Sequence, residues 1–279
     1  MHSSQPPIVT DGWLRKIGAG RICKLAKLKQ TLAMKLKLDP KKVPIMAPAL
    51  ELEIEAALVQ YIKRPKWIEW GMDGLRKQGN LIILHGPPGT GKTTIAQYMS
   101  KRVGQGMTTL NMKDVGGKAP GQTERMVNEV FGSAQASRHT LFMDECEAIL
   151  WDRGRAGSDS MWMVGVIDEL LMWTAKYKYL IVAATNRSDI LDNAFLDRAF
   201  ASLQVGLPEA PERVRLWRQK MPDRFPLKLT QVQIEQLSEI ILSGRQIENA
   251  IVREASMAIQ QEREPSFQSL MNIAKALLK

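Results

Sequence analysis

A glycine-rich run with one lysine and three threonines offers the clearest chemistry in this chain. It reads Gly86-Pro-Pro-Gly-Thr-Gly-Lys-Thr-Thr94 and directly follows the apolar segment 81–85. Glycines let the backbone curl until its N–H groups point at one centre, where phosphate oxygens can accept hydrogen bonds. Lys92 can reach the outer phosphates of a nucleoside triphosphate, and the Thr93 hydroxyl can be a ligand of Mg²⁺. The spacing predicts a phosphate-binding P-loop made of Gly86, Pro87, Pro88, Gly89, Thr90, Gly91, Lys92, Thr93 and Thr94.

Two adjacent carboxylates follow a second apolar strand pattern, Thr140-Leu-Phe-Met-Asp-Glu145. Asp144 at the end of that strand can hold Mg²⁺, directly or through water. Glu145 can then accept a proton from the water that attacks the γ-phosphate. A solvated turn would also place acids at a strand end. Their distance from the P-loop is typical of one P-loop core, which favours the functional interpretation.

A third strand pattern, at residues 179–184, leads into Thr185 and Asn186. Because parallel strands end at one edge of a sheet, these polar groups are expected near the carboxylates. Asn186 can orient the attacking water or sense the γ-phosphate. An ordinary Asx turn that closes a strand would place an asparagine there as well. The residues alone leave both interpretations open.

Four motifs in a fixed order carry a family resemblance. They are Gly86-Pro-Pro-Gly-Thr-Gly-Lys-Thr93, Phe142-Met-Asp-Glu145, Ala184-Thr-Asn-Arg187 and Leu191-Asp-Asn-Ala-Phe-Leu-Asp-Arg198. Over about residues 45–275 the chain resembles the AAA+ ATPases, and within them the AAA clade that carries the second region of homology. The resemblance implies ATP as the nucleotide and Mg²⁺ as its metal.

The same resemblance assigns roles to single residues. It implies that the P-loop is the first Walker motif and that Asp144 and Glu145 form the second. Asn186 would be the first sensor, and Arg198 the arginine finger that completes a neighbouring subunit's site. The relatives usually carry two arginines there, in a longer Arg-x-x-Gly-Arg run. This chain has Asp197-Arg198 alone, so one finger is assigned.

The sequence beyond the strands supports the same resemblance. Residues 240–250 read Ile240-Ile-Leu-Ser-Gly-Arg-Gln-Ile-Glu-Asn-Ala250 and predict the start of a lid helix. Arg245 lies where the relatives that have a second sensor carry it, and a surface residue at a helix start is the alternative. In two motifs, Ser-Gly-Arg245 and Asp-x-Ala-Phe-x-Asp-Arg198, the chain is similar to the AAA remodellers that act on HORMA-domain proteins.

The expected fold is α/β: a P-loop AAA+ core with a five-stranded parallel sheet flanked by helices, followed by a small C-terminal α-helical lid domain. Nucleotide should bind between core and lid, at the carboxyl ends of the strands. Helices are predicted at 50–62 and 67–75, and strands near 81–85, 107–111, 140–143, 179–184 and 202–206. The predicted domains are a basic N-terminal extension (1–45), the nucleotide-binding core (46–208) and the lid (209–279).

Positive charge concentrates in the N-terminal extension. Residues 1–45 carry ten lysines and arginines against Asp11 and Asp39, and so account for most of the net charge of +10. A basic amphipathic helix is predicted there, because one helical face would hold Leu25, Leu28, Leu32 and Leu36. Such a helix could bind a nucleic-acid backbone, an acidic membrane surface or an acidic patch on a partner. It could equally pack its leucines on the rest of the protein.

The loop after the second strand departs from the family pattern. Relatives grip substrate polypeptide there with an aromatic–aliphatic–glycine triplet, whereas this chain has Lys118-Ala-Pro-Gly121. The absence of an aromatic residue indicates gentler remodelling, as in the small polar pore loops of rubisco activases, or a substrate that is not a threaded peptide. Residues 151–158 are a candidate second pore loop. There Arg153 and Arg155 could face an acidic substrate or nucleic acid, or they could pair with a neighbouring subunit.

Composition is consistent with a cytoplasmic enzyme. The two cysteines, Cys23 and Cys146, are expected to stay reduced, with Cys146 as a small core residue. No apolar run approaches the roughly 20 residues that span a bilayer, so no transmembrane segment is expected. The N-terminus lacks an apolar signal core.

We expect an ATP-hydrolysing homo-oligomer, a hexameric ring or spiral, that remodels a protein partner with or without an adaptor. A nucleic-acid-associated ATPase that docks through residues 1–45 is the first alternative. A nucleotide switch that rarely turns over is the second, and the presence of Glu145 argues against it.

Overall fold

A computed structural model describes residues 43–71, 80–115, 121–148, 161–187 and 193–278. Contacts divide the chain into a unit of residues 1–43 and a unit of residues 44–279. Nearly all described residues belong to the second unit. The predicted basic helix, the residues 118–120 of the pore loop and the segment 151–158 lie outside the described residues.

The described elements alternate between helix and strand and then become helical. In chain order they are α1 (Pro48–Ile62), α2 (Arg64–Glu69), β1 (Leu81–His85), α3 (Lys92–Arg102), β2 (Met107–Asn111), α4 (Met112–Val115), α5 (Gln122–Ala136), β3 (Thr140–Asp144), a 3-10 turn (Cys146–Ala148), α6 (Met161–Lys176), β4 (Ile181–Thr185), α7 (Asn193–Leu196), β5 (Ala199–Gln204), α8 (Ala210–Lys220), α9 (Gln231–Ser238), α10 (Gly244–Gln260) and α11 (Phe267–Ala276).

The strands form one parallel sheet in the order β2-β3-β4-β1-β5. The central strands β1, β3 and β4 are continuous apolar runs, because helices cover both faces of a parallel sheet. The predicted five-stranded parallel sheet, flanked by helices and followed by a helical region, is therefore confirmed. Among the described residues, no helix is long and apolar enough to cross a membrane.

Two predicted elements were misplaced. The last strand was expected at 202–206 but spans Ala199–Gln204. It lies at the end of the strand order, where its mixture of buried and exposed side chains gives no apolar run to mark its start. The second helix was expected at 67–75 but spans Arg64–Glu69, because Pro65 in the first turn favours a helix start at Arg64.

Aromatic side chains fill the space between the sheet and helices α5 and α6. The Phe131 and Trp173 rings are stacked with centroids 5.1 Å apart, and Tyr177 meets Phe131 edge-on at 5.7 Å. Ile167, Leu170, Leu171 and Trp173 of α6 are buried. Cys146 is a buried free thiol. Its burial raises the pKa of the thiol, as expected for a small core residue rather than a reactive one.

Helices α8 to α11 enclose a second apolar cluster around Trp217. One carboxylate, Glu254, lies fully buried beside it. Glu254 accepts hydrogen bonds from Arg263 at 2.7 Å and from the backbone N–H of Ser266 at 2.8 Å. These bonds tie the segment that leads into α11 to the middle of α10. A buried charge needs such partners to be tolerated.

Candidate active site at the carboxyl edge of the sheet

The sheet brings the predicted site residues to one edge. Because all strands run parallel, β1, β3 and β4 end side by side, in His85, Asp144 and Thr185. His85 is in register with Thr185 on the neighbouring strand. Strand β4 lies between β1 and β3, so Asn186 leaves the sheet between the P-loop and the two carboxylates. Strand order, rather than sequence distance, creates this neighbourhood.

Two glycines allow the P-loop to pass close to its surroundings. Gly86 has φ of +146°, and a Cβ at this position would lie 2.1 Å from the carbonyl oxygen of Val205. Gly89 has φ of +78°, and its Cβ would lie 2.8 Å from the side chain of Ser243. Neither position accommodates a larger residue. The loop then enters α3 at Lys92, so the first N–H groups of an 11-residue helix are available to an anion.

Lys92 is buried at the base of the loop. Its Nζ donates to the carbonyl oxygens of Gly86 at 2.8 Å and Pro87 at 2.9 Å, and to Oδ1 of Asn186 at 2.9 Å. All three acceptors are uncharged. Burial lowers the pKa of Lys92, while Glu147 and Asp144 pull it back upward. An ammonium held by neutral oxygens next to a helix N-terminus suits a phosphate group.

The remaining P-loop residues lie at the surface of the same loop. The Thr90 hydroxyl donates to the carbonyl oxygen of Pro87 at 2.9 Å and so closes the turn. Exposed side chains include those of Pro87, Pro88, Thr93 and Thr94. The Thr93 hydroxyl and the Asp144 carboxylate are oxygen donors, the type of ligand that Mg²⁺ prefers. This donor set fits the predicted metal.

The two predicted carboxylates have different surroundings. Asp144 is half-buried, and burial raises its pKa, although it accepts a hydrogen bond from the Glu145 N–H at 3.0 Å. Glu145 has φ of +56°, a left-handed conformation that is uncommon for residues other than glycine. Its Oε1 lies 2.6 Å from Nζ of Lys113. The predicted base is thus engaged in an ion pair in this structure.

Asn186 is held from two sides. Its Nδ2 donates to Oε1 of Glu147 at 2.8 Å, and its backbone N–H donates to Oε2 of Glu147 at 3.2 Å. Its Oδ1 accepts from Lys92. Burial raises the pKa of Glu147, but hydrogen bonds from its own backbone, Thr185 and Asn186 outweigh burial and lower it. Glu147 is therefore held in its ionised form.

Sequence reasoning missed Glu147 and Lys113. The signal for Glu147 was present, because Asp144-Glu-Cys-Glu147 places a third acid two residues beyond the predicted pair. The signal for Lys113 was weaker. It lies two residues after β2, a strand that ends beside Asp144. Only the sheet order indicates that this lysine reaches a carboxylate of another strand.

The helical region touches the P-loop through the start of α10. The Arg245 N–H donates to the carbonyl oxygen of Gly89 at 3.2 Å. Ser243 and Gln246 cap the helix reciprocally, which fixes its first turn. The Arg245 side chain is exposed. Its charge nevertheless contributes to the lowered pKa of Lys92, after burial, so it acts on the same site.

Arg198 lies away from the other predicted residues. It directly precedes β5, whose first residue, Ala199, is paired with Leu81 at the start of β1. Because a strand rises about 3.3 Å per residue, five residues separate Arg198 from the carboxyl edge by roughly 16 Å. Its Nη1 lies 3.4 Å from the hydroxyl of Thr174. The structure does not bring Arg198 to the P-loop of its own chain.

The part of the sequence that forms this site matches a known protein family. Residues 82–207 match the family described as ATPase family associated with various cellular activities (AAA). Among similar proteins, the human ATPase family gene 2 protein homolog A is 30% identical over 166 residues. The ribosome biogenesis ATPase RIX7 of Saccharomyces cerevisiae is 32% identical over 170 residues. Protein SUPPRESSOR OF K(+) TRANSPORT GROWTH DEFECT 1 of Arabidopsis thaliana is 28% identical over 192 residues.

These relatives are longer than the matched region. The alignments cover 56%, 59% and 67% of this chain, respectively. They cover 18%, 20% and 43% of the relatives. The similarity therefore concerns only part of the length of each relative.

Proposed function

We propose that this chain, whose residues 82–207 match the AAA family of ATPases, binds ATP with Mg²⁺ at the carboxyl edge of its sheet and hydrolyses it to remodel a protein partner. The observation that carries the proposal is the contact of Lys92 with Asn186. It joins the P-loop to the strand end beside the carboxylates, as hydrolysis requires.

Each residue at this edge has a defined part in the proposal. The loop N–H groups and Lys92 hold the phosphates. Thr93 and Asp144 hold Mg²⁺, which neutralises phosphate charge when bound. Glu145 accepts the proton of the attacking water and Asn186 orients that water. Because Glu145 is paired with Lys113 in this structure, the ion pair must open before the carboxylate can act as a base.

Arg245 and Arg198 supply positive charge from two directions. Arg245 reaches the site of its own chain, since α10 begins against Gly89. Arg198 lies at the opposite edge, so we assign it to the site of a neighbouring subunit. Contacts between opposite edges repeat head to tail and generate rings or open spirals. A hexameric homo-oligomer is therefore part of the proposal.

The partner, the location and the domain bounds belong to the proposal as well. A protein substrate, with or without an adaptor, follows from the family. The proposed location is the cytoplasm, and the proposed bounds remain 1–45, 46–208 and 209–279. One of the relatives is named for ribosome biogenesis, which is a statement about that protein. The alternative of a nucleic-acid-associated ATPase keeps the support of the ten basic residues in 1–45.

A capture experiment tests the proposal and separates the alternatives. Glu145→Gln protein should bind ATP without hydrolysing it and so retain its substrate. Capture from native lysate with ATP and Mg²⁺ should yield a defined protein that survives nuclease treatment. Purified wild-type chain should hydrolyse ATP and Lys92→Ala should not. Loss of the captured material after nuclease treatment would favour the nucleic-acid alternative, and absence of wild-type hydrolysis would contradict the proposal.

A further inference from the structure

We propose that Glu147 is a positioning residue that fixes the amide of Asn186 with its carbonyl oxygen directed toward the nucleotide site. In this orientation Asn186 is a hydrogen-bond acceptor for the attacking water. The inference rests on the proposed ATP hydrolysis and names a residue that the motifs of the sequence analysis leave unassigned. Its evidence is the geometry around one side-chain amide.

The chemistry of the two neighbours settles the orientation of the Asn186 amide. An ionised carboxylate only accepts hydrogen bonds, and an ammonium only donates them. Glu147 contacts Nδ2 at 2.8 Å, and Lys92 contacts Oδ1 at 2.9 Å. A flipped amide would place oxygen against the carboxylate and NH₂ against the ammonium, and both bonds would be lost. The two neighbours therefore select one orientation.

Glu147 is itself firmly placed. It lies in the 3-10 turn Cys146–Ala148, whose first residue is fully buried. The Ala148 N–H donates to the carbonyl oxygen of Glu145 at 2.9 Å and closes this turn. The second oxygen of Glu147 accepts the backbone N–H of Asn186 at 3.2 Å. The carboxylate thus holds both the main chain and the side chain of Asn186 at the end of a buried strand.

This arrangement has a consequence for hydrolysis. Bound phosphates compete with neutral oxygens for the Lys92 ammonium and release Oδ1 of Asn186. A water molecule donates two hydrogen bonds, and here it would find two acceptors, Glu145 and Asn186. With both bonds made, a lone pair of the water is left for the γ-phosphorus. Water oxygen then bonds to phosphorus, the bond to the bridging oxygen breaks, and Glu145 receives the proton.

A reciprocal exchange of side chains tests this role. In Glu147→Gln the new NH₂ group lies opposite one of the two N–H donors of Asn186, so one hydrogen bond is lost. We expect kcat to fall by about 10- to 100-fold, as when a partner that orients a reacting group is removed. KM and the Kd of a fluorescent ATP analogue should stay within about threefold of the wild-type values, because the change does not alter interactions that bind the ground state and the transition state equally. Asn186→Asp should also lower kcat, since it places a second carboxylate against that of Glu147.

The double variant carrying Glu147→Gln and Asn186→Asp restores a donor opposite an acceptor. It should exceed the slower single variant in kcat by about tenfold, a coupling typical of residues in direct contact. A purely structural role of Glu147 would give no such recovery. Glu129→Gln, the same change on an exposed face of α5, is the matched control and should keep the wild-type kcat.

The orientation can also be observed without nucleotide. The side-chain amide signals of Asn186 in a ¹⁵N–¹H spectrum, identified by their loss in Asn186→Asp, should be shifted downfield by the carboxylate. Glu147→Gln should move them back. Unchanged amide signals in Glu147→Gln would overturn the inference, and so would a kcat within about twofold of wild type. Absence of wild-type hydrolysis would overturn the proposed function and the catalytic role together, while the amide signals would still decide the contact.

Discussion

The two edges of the sheet differ in how their charged groups are held. At the carboxyl edge Lys92, Asn186 and Glu147 form a continuous chain of hydrogen bonds of 2.8 to 2.9 Å. At the amino edge Nη1 of Arg198 lies 3.4 Å from the neutral hydroxyl of Thr174. The first edge is a pre-assembled site. The second presents a cation without a carboxylate partner among the described contacts.

Because of this difference, one chain can carry two incomplete halves of a site. The carboxyl edge holds the nucleotide and the base, and the amino edge holds a charge for another chain. Charge that develops on a transferred phosphoryl group is best neutralised by groups already in place. Hydrolysis should therefore depend on assembly.

Removing Arg198 should have the largest effect. In Arg198→Ala, ATPase activity at concentrations where wild type assembles should fall by about 10³-fold or more, as for other arginine fingers. The Kd for ATP should hardly change, because Arg198 is remote from its own P-loop. Arg198→Lys keeps the charge without the planar fork and should recover only part of the loss. Full activity of Arg198→Ala would remove the distinction between the two edges.

The stability of the helical region α8 to α11, which touches the P-loop at the carboxyl edge, should depend on the ion pair between Arg263 and Glu254. Arg263→Ala leaves the buried Glu254 carboxylate without its cation and should lower the free energy of unfolding. The denaturant midpoint measures this change. Arg253→Ala, at an exposed position of α10, is the control and should have little effect.

The same pair predicts a pH dependence. Burial raises the pKa of Glu254, but hydrogen bonds from Arg263, Ser269 and Ser266 outweigh it and hold the pKa below the ordinary value of 4.5. A carboxyl with a lowered folded pKa stabilises the fold above its unfolded pKa. Stability should therefore fall as the pH drops below about 4.5 toward the folded pKa. Glu254→Gln should flatten this part of the pH profile. An unchanged profile would contradict the assignment.

Filling the space beside Gly86 should weaken nucleotide binding at the carboxyl edge alone. Gly86→Ala combines φ of +146° with a Cβ 2.1 Å from the Val205 carbonyl oxygen. Strain of about 1–3 kcal/mol should raise the Kd for ATP by roughly 5- to 150-fold. Gly132→Ala lies in a helix with open space and should bind ATP normally. Equal affinities of the two variants would show that the loop tolerates a side chain.

The smallest effect concerns the ion pair that engages the predicted base. Lys113 is 64% exposed at its side chain, so water screens its ion pair with Glu145 and the pair is weak. Lys113→Met should free Glu145 and raise kcat by up to about fivefold. Lys101→Met, an exposed lysine of α3, should leave kcat unchanged. A lower kcat in Lys113→Met would show that the lysine assists the carboxylate.

Local patterns predicted the fold well where one short segment determined the structure. The P-loop, the central strands and the start of the helical region have strong apolar or glycine signals. The edge strand β5 and the helix at Arg64 were misplaced, because pairing with Leu81 and the position of Pro65 set their bounds.

The site was predictable residue by residue but not contact by contact. Lys92, Glu145 and Asn186 follow from motifs. Their partners Lys113 and Glu147 depend on the order in which distant strands lie in the sheet. The structure adds those partners and the position of Arg198, while the catalytic roles stay predictions that the variants test.

The most direct test of the two-edge account mixes two inactive proteins. Arg198→Ala retains an intact carboxyl edge, and Glu145→Gln retains an intact amino edge. In a random mixed assembly about a quarter of head-to-tail interfaces would join the two intact edges. We predict that equal amounts of the two proteins, each inactive alone, together regain ATPase activity of that order. No recovery in demonstrably mixed oligomers would contradict the claim that each site is shared between neighbouring chains.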